Sequence, residues 1–150
     1  GGVTVYTGAL DELCGCSLGR LPYRTLDFQF ETLPVTWFQP KGTVNYTIDM
    51  PFTRITEFKH FLGQDLPGRT TIVREFARDY AGRAGEIPYY AVKNPASERL
   101  YAAYREKISA VPRFYLLGRL AEYQYYNMDA IVARALDRAD EILAGWEATA

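Results

Sequence analysis

Cysteine is nearly absent from this chain of 150 residues: there are two, alongside a single histidine. Cys14 and Cys16 are one residue apart, a spacing across which a disulfide would be strained. A zinc ion asks for about four ligands, and His60 alone could add a ring nitrogen. Two reduced thiols and a cytoplasmic protein are the expectation. An excess of charge is also missing, since 17 Lys and Arg stand against 18 Asp and Glu, for a net charge of −1. That balance gives no support for nucleic-acid or membrane-surface partners. No apolar run reaches the ~20 residues of a membrane span, and neither a signal-peptide pattern, an internal repeat nor a low-complexity segment is found. The chain opens Gly-Gly rather than with Met, the mark expected of an excised, processed or tagged chain.

What is present in quantity is tyrosine, with twelve residues, which points to a β-rich core or a ligand-facing surface. The length suits one domain, 1–150, with a core of its own. The sequon Asn45-Tyr46-Thr47 falls in an expected strand of a chain with no secretion pattern, so it is discounted.

Hydrophobic patterning predicts an α+β fold, with a largely antiparallel sheet and two main helices in the C-terminal half. Val3 to Tyr6 reads as a short strand. From Leu26 to Thr32 apolar Leu26, Phe28 and Phe30 alternate with Asp27, Gln29 and Glu31. Val44, Tyr46 and Ile48 repeat the pattern, and Phe52 to Phe58 and Arg69 to Phe76 give two further strands. Short connections favour antiparallel pairing. Asn94-Pro95 should open a helix, as an N-cap followed by proline at the first helical position. Its apolar stripe is Leu100, Ala103, Tyr104 and Ile108, and Pro112 stops it. Arg113 to Gly118 reads as a buried strand. Asn127 is a plausible N-cap for a last helix whose stripe is Met128, Ile131, Val132, Ala135, Leu136, Ala139, Ile142 and Leu143. That stripe must fold onto its own chain or meet a second one, and a homo-oligomer is expected.

The run GRLAEYQYYNM, residues 118–128, therefore sits on a strand-to-helix connection, where helix amides commonly face anionic ligands. Arg54 shares a strand face with Phe52 and Phe58, where an unpaired buried charge would be costly. A strand-edge arginine with its head in water is the competing reading. His60, with no visible carboxylate or serine partner, reads as structural. Tyr123, Tyr125 and Tyr126 read equally well as core packing or as rings that present hydroxyls to a ligand.

GRLAEYQYYNM closely resembles the C-terminal signature of the UDP-galactopyranose mutases. VYTGALDE (5–12), GRLPYRTLDF (19–28), VNYT (44–47), PFTRITEFKHF (51–61), VREF (73–76) and IPYY (87–90) match in the same order. The resemblance implies the C-terminal, substrate-side part of a flavoenzyme that interconverts UDP-galactopyranose and UDP-galactofuranose in cell-wall biosynthesis. In the family the N5 of reduced FAD is the nucleophile at the anomeric carbon. The resemblance assigns a catalytic position to Arg54, substrate contacts to Arg24, Glu75, Tyr90, Arg119 and Tyr125, and cofactor contacts to Arg119, Asn127 and Met128. Guanidiniums and phenols suit a diphosphate. The glycine-rich flavin fingerprint and the helical middle domain have no match here, so the chain alone is expected to hold no FAD and to be inactive without a separate flavin-binding polypeptide. Asn127 stands where the family has aspartate; the amide keeps the cap and loses the carboxylate. Alternatives are a non-catalytic module that binds UDP-galactose, another nucleotide sugar or a sugar phosphate, and an assembly or dimerisation domain.

Overall fold

In the computed structural model, which describes residues 2–147, the chain runs β1 (Thr4–Tyr6), α1 (Leu10–Leu13), β2 (Tyr23–Leu33), β3 (Thr43–Asn45), β4 (Arg54–Glu57), α2 (Lys59–Leu62), β5 (Thr70–Asp79), β6 (Tyr90–Ala91), α3 (Pro95–Ser109), β7 (Phe114–Leu116) and α4 (Met128–Glu147). The fold is α+β, with antiparallel strand pairs and its two main helices in the C-terminal half. It divides into two compact units, residues 1–24 with 80–150, and residues 25–79. Among the described residues no helix is long and apolar enough to cross a membrane.

The first unit is built on tyrosine. Tyr23, Tyr104 and Tyr123 are buried with Ala9, Leu10 and Leu21, and burying side chains of this size contributes roughly 1.5–3 kcal/mol each. Every one of these rings keeps its hydroxyl satisfied, as burial requires. Tyr23 donates to the buried Asp11 carboxylate at 3.2 Å. Tyr104 donates to the Gly19 carbonyl at 2.6 Å and accepts from Leu18 N. Tyr123 lies 2.8 Å from both the Pro22 and Val92 carbonyls.

Helix α3 begins where its capping residues dictate. Asn94 accepts from Ala96 N and Ser97 N, Ser97 returns a bond to Asn94 N, and Pro95 fills the first turn. Tyr104 is the buried centre of its stripe, whereas Ala103 is exposed. Strands β1 and β7 pair in parallel, Thr4 with Phe114 and Tyr6 with Leu116. Antiparallel pairing is favoured for strands joined by short connections, and these two are far apart in the sequence. The expected buried strand at 113–118 is half-buried.

The apolar stripe of α4 splits in two. Ile131, Ala135 and Ile142 are half-buried, whereas Met128, Val132, Leu136 and Leu143 are exposed. Arg134 and Arg138 take up the half-buried side, both directed to Glu122.

In the second unit the strands lie in the order β3-β4-β5-β2. Asn45 pairs with Arg54 and Arg54 with Glu75 in antiparallel register. Arg74–Glu31 and Arg78–Asp27 ion pairs put the acidic side of β2 on the Arg74 face. The alternation expected in β2 is present, but its apolar side is open, with Phe28 43% and Phe30 68% exposed. The interior combines Ile55, Ile72 and Val73 with the polar Glu57, Lys59 and Thr70.

Candidate functional site

The connection from β7 to α4 is shaped by two left-handed residues. Gly118 has φ +103°, and Tyr123 has φ +50°, a conformation that costs a non-glycine residue on the order of 1 kcal/mol. Tyr123 is held there by its two carbonyl partners and by its packing against Tyr23 and Tyr101, with ring centroids 5.5 and 5.4 Å away. With Tyr123 anchored inward, Tyr125 is 59% exposed. The left-handed backbone at Tyr123 thus separates the core ring from the presented ring, two positions that strand alternation would have put on one side.

Arg119 folds across this loop. Its Nε donates to the Tyr126 carbonyl at 2.8 Å. Its guanidinium lies 4.6 Å from the Tyr125 ring centre and 5.8 Å from that of Tyr90, and the two rings stack at 6.1 Å. A guanidinium between aromatic faces is held by cation–π attraction. Arg24 stands opposite Tyr90 in the β2–β6 register. Four of the expected site residues, Arg24, Tyr90, Arg119 and Tyr125, are thereby gathered within the first unit. Asn127 takes the cap position of α4, its carbonyl accepting from Ile131 N, and both Asn127 and Met128 are exposed.

Arg54 and Glu75 belong to the second unit. They are cross-strand neighbours with an N–O separation of 3.7 Å, and Arg54 Nε donates to Asn45 Oδ1 at 3.0 Å. The Arg54 side chain is 42% exposed, so its charge is neither buried nor unpaired. An exposed pair of this kind contributes about 0–1 kcal/mol, and its effect is to fix where the guanidinium sits. Asn45 joins this set although sequence reasoning passed over it. The register that sets it beside Arg54 is the signal that finds it. Arg74 pairs with Glu31 rather than with its neighbour Glu75.

His60 does have a carboxylate partner. Its Nε2 is 3.3 Å from Glu57 Oε2 and 3.0 Å from the Gln39 carbonyl, and its ring packs 4.6 Å from that of Trp37. Glu57 is fully buried and accepts from Phe38 N, Gln39 N and the Thr70 hydroxyl. Burial pushes its pKa up, but these hydrogen bonds and His60 outweigh it and hold the carboxyl below the ordinary glutamate value of 4.5. The node ties His60 to the loop that carries Trp37 and Gln39. Cys14 and Cys16 are free thiols, and among the described residues no cluster suits a metal ion.

A family model described as UDP-galactopyranose mutase matches residues 2–125. The chain is 35% identical over 143 residues to UDP-galactopyranose mutase of Mycoplasma pneumoniae, covering 93% of this chain and 36% of that protein. It is 36% identical over 140 residues to the probable UDP-galactopyranose mutase of Klebsiella pneumoniae, with the same coverage. It is also 30% identical over 139 residues to dTDP-fucopyranose mutase of Escherichia coli, covering 92% of this chain and 36% of that protein. The chain spans about 36% of the length of these curated relatives.

Proposed function

This chain belongs to the UDP-galactopyranose mutase family, and from that premise we propose that it is the diphosphate- and sugar-recognising part of a mutase, without turnover of its own. The observation that carries the reading is the Arg119 guanidinium held against Tyr90 and Tyr125, with Arg24 opposite Tyr90. Guanidinium and phenol donors match the oxygens of a diphosphate. The relatives' names differ in base and in sugar, UDP-galactopyranose against dTDP-fucopyranose, yet they match nearly the same stretch of this chain. The two names share a nucleoside diphosphate joined to a pyranose, and that shared portion is what this part recognises. Arg54, positioned within the second unit by Glu75 and Asn45, is the group to which the family resemblance gives a catalytic position.

The family's flavin, when bound, supplies the nucleophile. The residues here do not fit a flavin dinucleotide by themselves. Such a cofactor needs a glycine turn open to its pyrophosphate. At Gly8, between β1 and α1, a Cβ would meet the Tyr6 hydroxyl at 2.6 Å, so that turn is filled by the chain's own ring. Asn127 and Met128 are the groups assigned to a flavin carried by a separate polypeptide, in a cytoplasmic assembly.

Calorimetric titration tests the reading. UDP, dTDP and UDP-galactose are expected to bind with affinities within about threefold of one another, each weakened by added salt and by Arg119→Ala. Absence of binding by all three, or binding of UDP alone, would overturn it. A second reading, an assembly surface, is favoured by the exposed Met128, Val132, Leu136 and Leu143 of α4. Light scattering of the same samples separates the two, since a mass that rises with concentration supports assembly and a constant monomer mass excludes it.

A further inference from the structure

A polar cavity opens within the first unit, among α3, β7, the loop before α4 and α4 itself. Its volume is about 480 Å³, the size that takes a small organic molecule. Arg105, Arg134 and Arg138 line it against a single carboxylate, Glu122. That carboxylate is already engaged: it lies 2.9 Å from Arg134 Nε and 3.8 Å from Arg138, and it accepts from Gly118 N at 3.0 Å. Glu141 also reaches Arg134 and Arg138, from a position half open to water. Two carboxylates thus face three guanidiniums. Arg105 has no acidic partner among the described residues, and Arg138 Nε is buried with no acceptor among them. A buried donor without an acceptor calls for one.

The rest of the lining is flat and apolar. Tyr101, Tyr115 and Tyr126 contribute rings beside Ile108 and Leu116, and the Arg138 guanidinium lies 5.6 Å from the Tyr115 ring centre. Neither Tyr101 nor Tyr126 balances the excess charge by ionising. Burial pushes the Tyr101 hydroxyl up to about 12 and raises that of Tyr126 as well, so both remain neutral donors. The missing partner is therefore an anion that comes from outside, with an oxygen-bearing head for the guanidiniums and a planar body for the rings.

We propose that this cavity binds a phosphate monoester on a planar aromatic or heterocyclic body, its phosphate taken by Arg105 and Arg138. A phosphate head offers the several acceptor oxygens that two guanidiniums can share, where a carboxylate offers two. The site is independent of the nucleotide-sugar reading, because Arg24, Tyr90, Arg119 and Tyr125 do not line it.

Phenyl phosphate is the probe, titrated by calorimetry or by amide chemical shifts, with inorganic phosphate and benzoate as separate arms. Phenyl phosphate is expected to bind at one site, more tightly than either comparison anion, with shifts centred on residues 101–109 and 114–116. Arg105 is exposed, so Arg105→Gln leaves the fold intact; it is expected to weaken phenyl phosphate about tenfold, the scale of one charge-assisted hydrogen bond, while leaving UDP binding unchanged. Arg119→Ala is expected to do the reverse. No binding of phenyl phosphate, benzoate binding as tightly, an unchanged affinity in Arg105→Gln, or an equal loss in Arg119→Ala would each overturn the proposal.

Discussion

The two units solve the same problem with opposite materials. Residues 1–24 and 80–150 close around rings whose hydroxyls end on backbone carbonyls or on a buried carboxylate, Tyr104 on Gly19, Tyr123 on Pro22 and Val92, and Tyr23 on Asp11. Residues 25–79 leave Phe28 and Phe30 in the open and bury Glu57 instead, with two amides, a hydroxyl and an imidazole converging on it. In the first, apolar area does most of the stabilising and the hydroxyls avoid a penalty. In the second, one buried charge organises the interior, and stability depends on every one of its partners being present. The lesson is that exposure of aromatic surface and reliance on a polar node go together here, because rings left partly in water bury less apolar area.

The largest test of this contrast is Glu57→Ala. Losing the carboxylate strands Phe38 N, Gln39 N and the Thr70 hydroxyl, at a cost of roughly 3 kcal/mol. Hydrogen exchange should show the loss confined to residues 25–79, and an even loss over both units would erase the distinction. Acid gives a reversible version. A carboxyl held below its ordinary pKa contributes stability that is complete above pH 4.5 and lost as pH falls through the lowered value. Next in size is Tyr123→Phe, which keeps the ring and strips the hydroxyl from the Pro22 and Val92 carbonyls. Its cost should be about 1–2 kcal/mol, seen in urea unfolding as a lower midpoint with the ring packing retained. The smallest is Asn94→Ala, which removes the α3 cap for about 1 kcal/mol and should speed exchange at Ala96 and Ser97 while residues 25–79 stay protected.

How much of this was legible in advance depends on the range over which each feature is decided. Asn94, Pro95 and Ser97 are neighbours, so the start of α3 is written locally and stands where expected. Alternation in β2 is likewise local and correct, but whether its apolar side is covered depends on distant chain, and Phe28 and Phe30 show that it is not. The parallel pair of β1 and β7 joins distant parts of the sequence and leaves no periodic trace. Glu57 reads as one more polar strand residue, since nothing nearby announces that four partners will meet it. Within GRLAEYQYYNM the residue types signalled an aromatic and guanidinium cluster. That Tyr123 turns inward while Tyr125 is presented follows from a left-handed backbone that patterning cannot supply. Asn45 acquires its place beside Arg54 through strand register alone.

The division of the chain also sets an order in time. Residues 25–79 are contiguous, and β3, β4, β5 and most of β2 lie within them, so these strands can pair as soon as this stretch has left the ribosome. The first twenty-four residues emerge earlier and must wait. Thr4 to Tyr6 have no strand partner until Phe114 to Leu116 are made, and Leu21 and Tyr23 lack Tyr104 and Tyr123 until most of the chain has been synthesised. At about 5–20 residues per second that delay lasts roughly 5–20 s, during which Thr4 to Tyr6 stand unpaired. Among the residues that end the wait is Tyr123, which belongs to the same aromatic loop that presents Arg119.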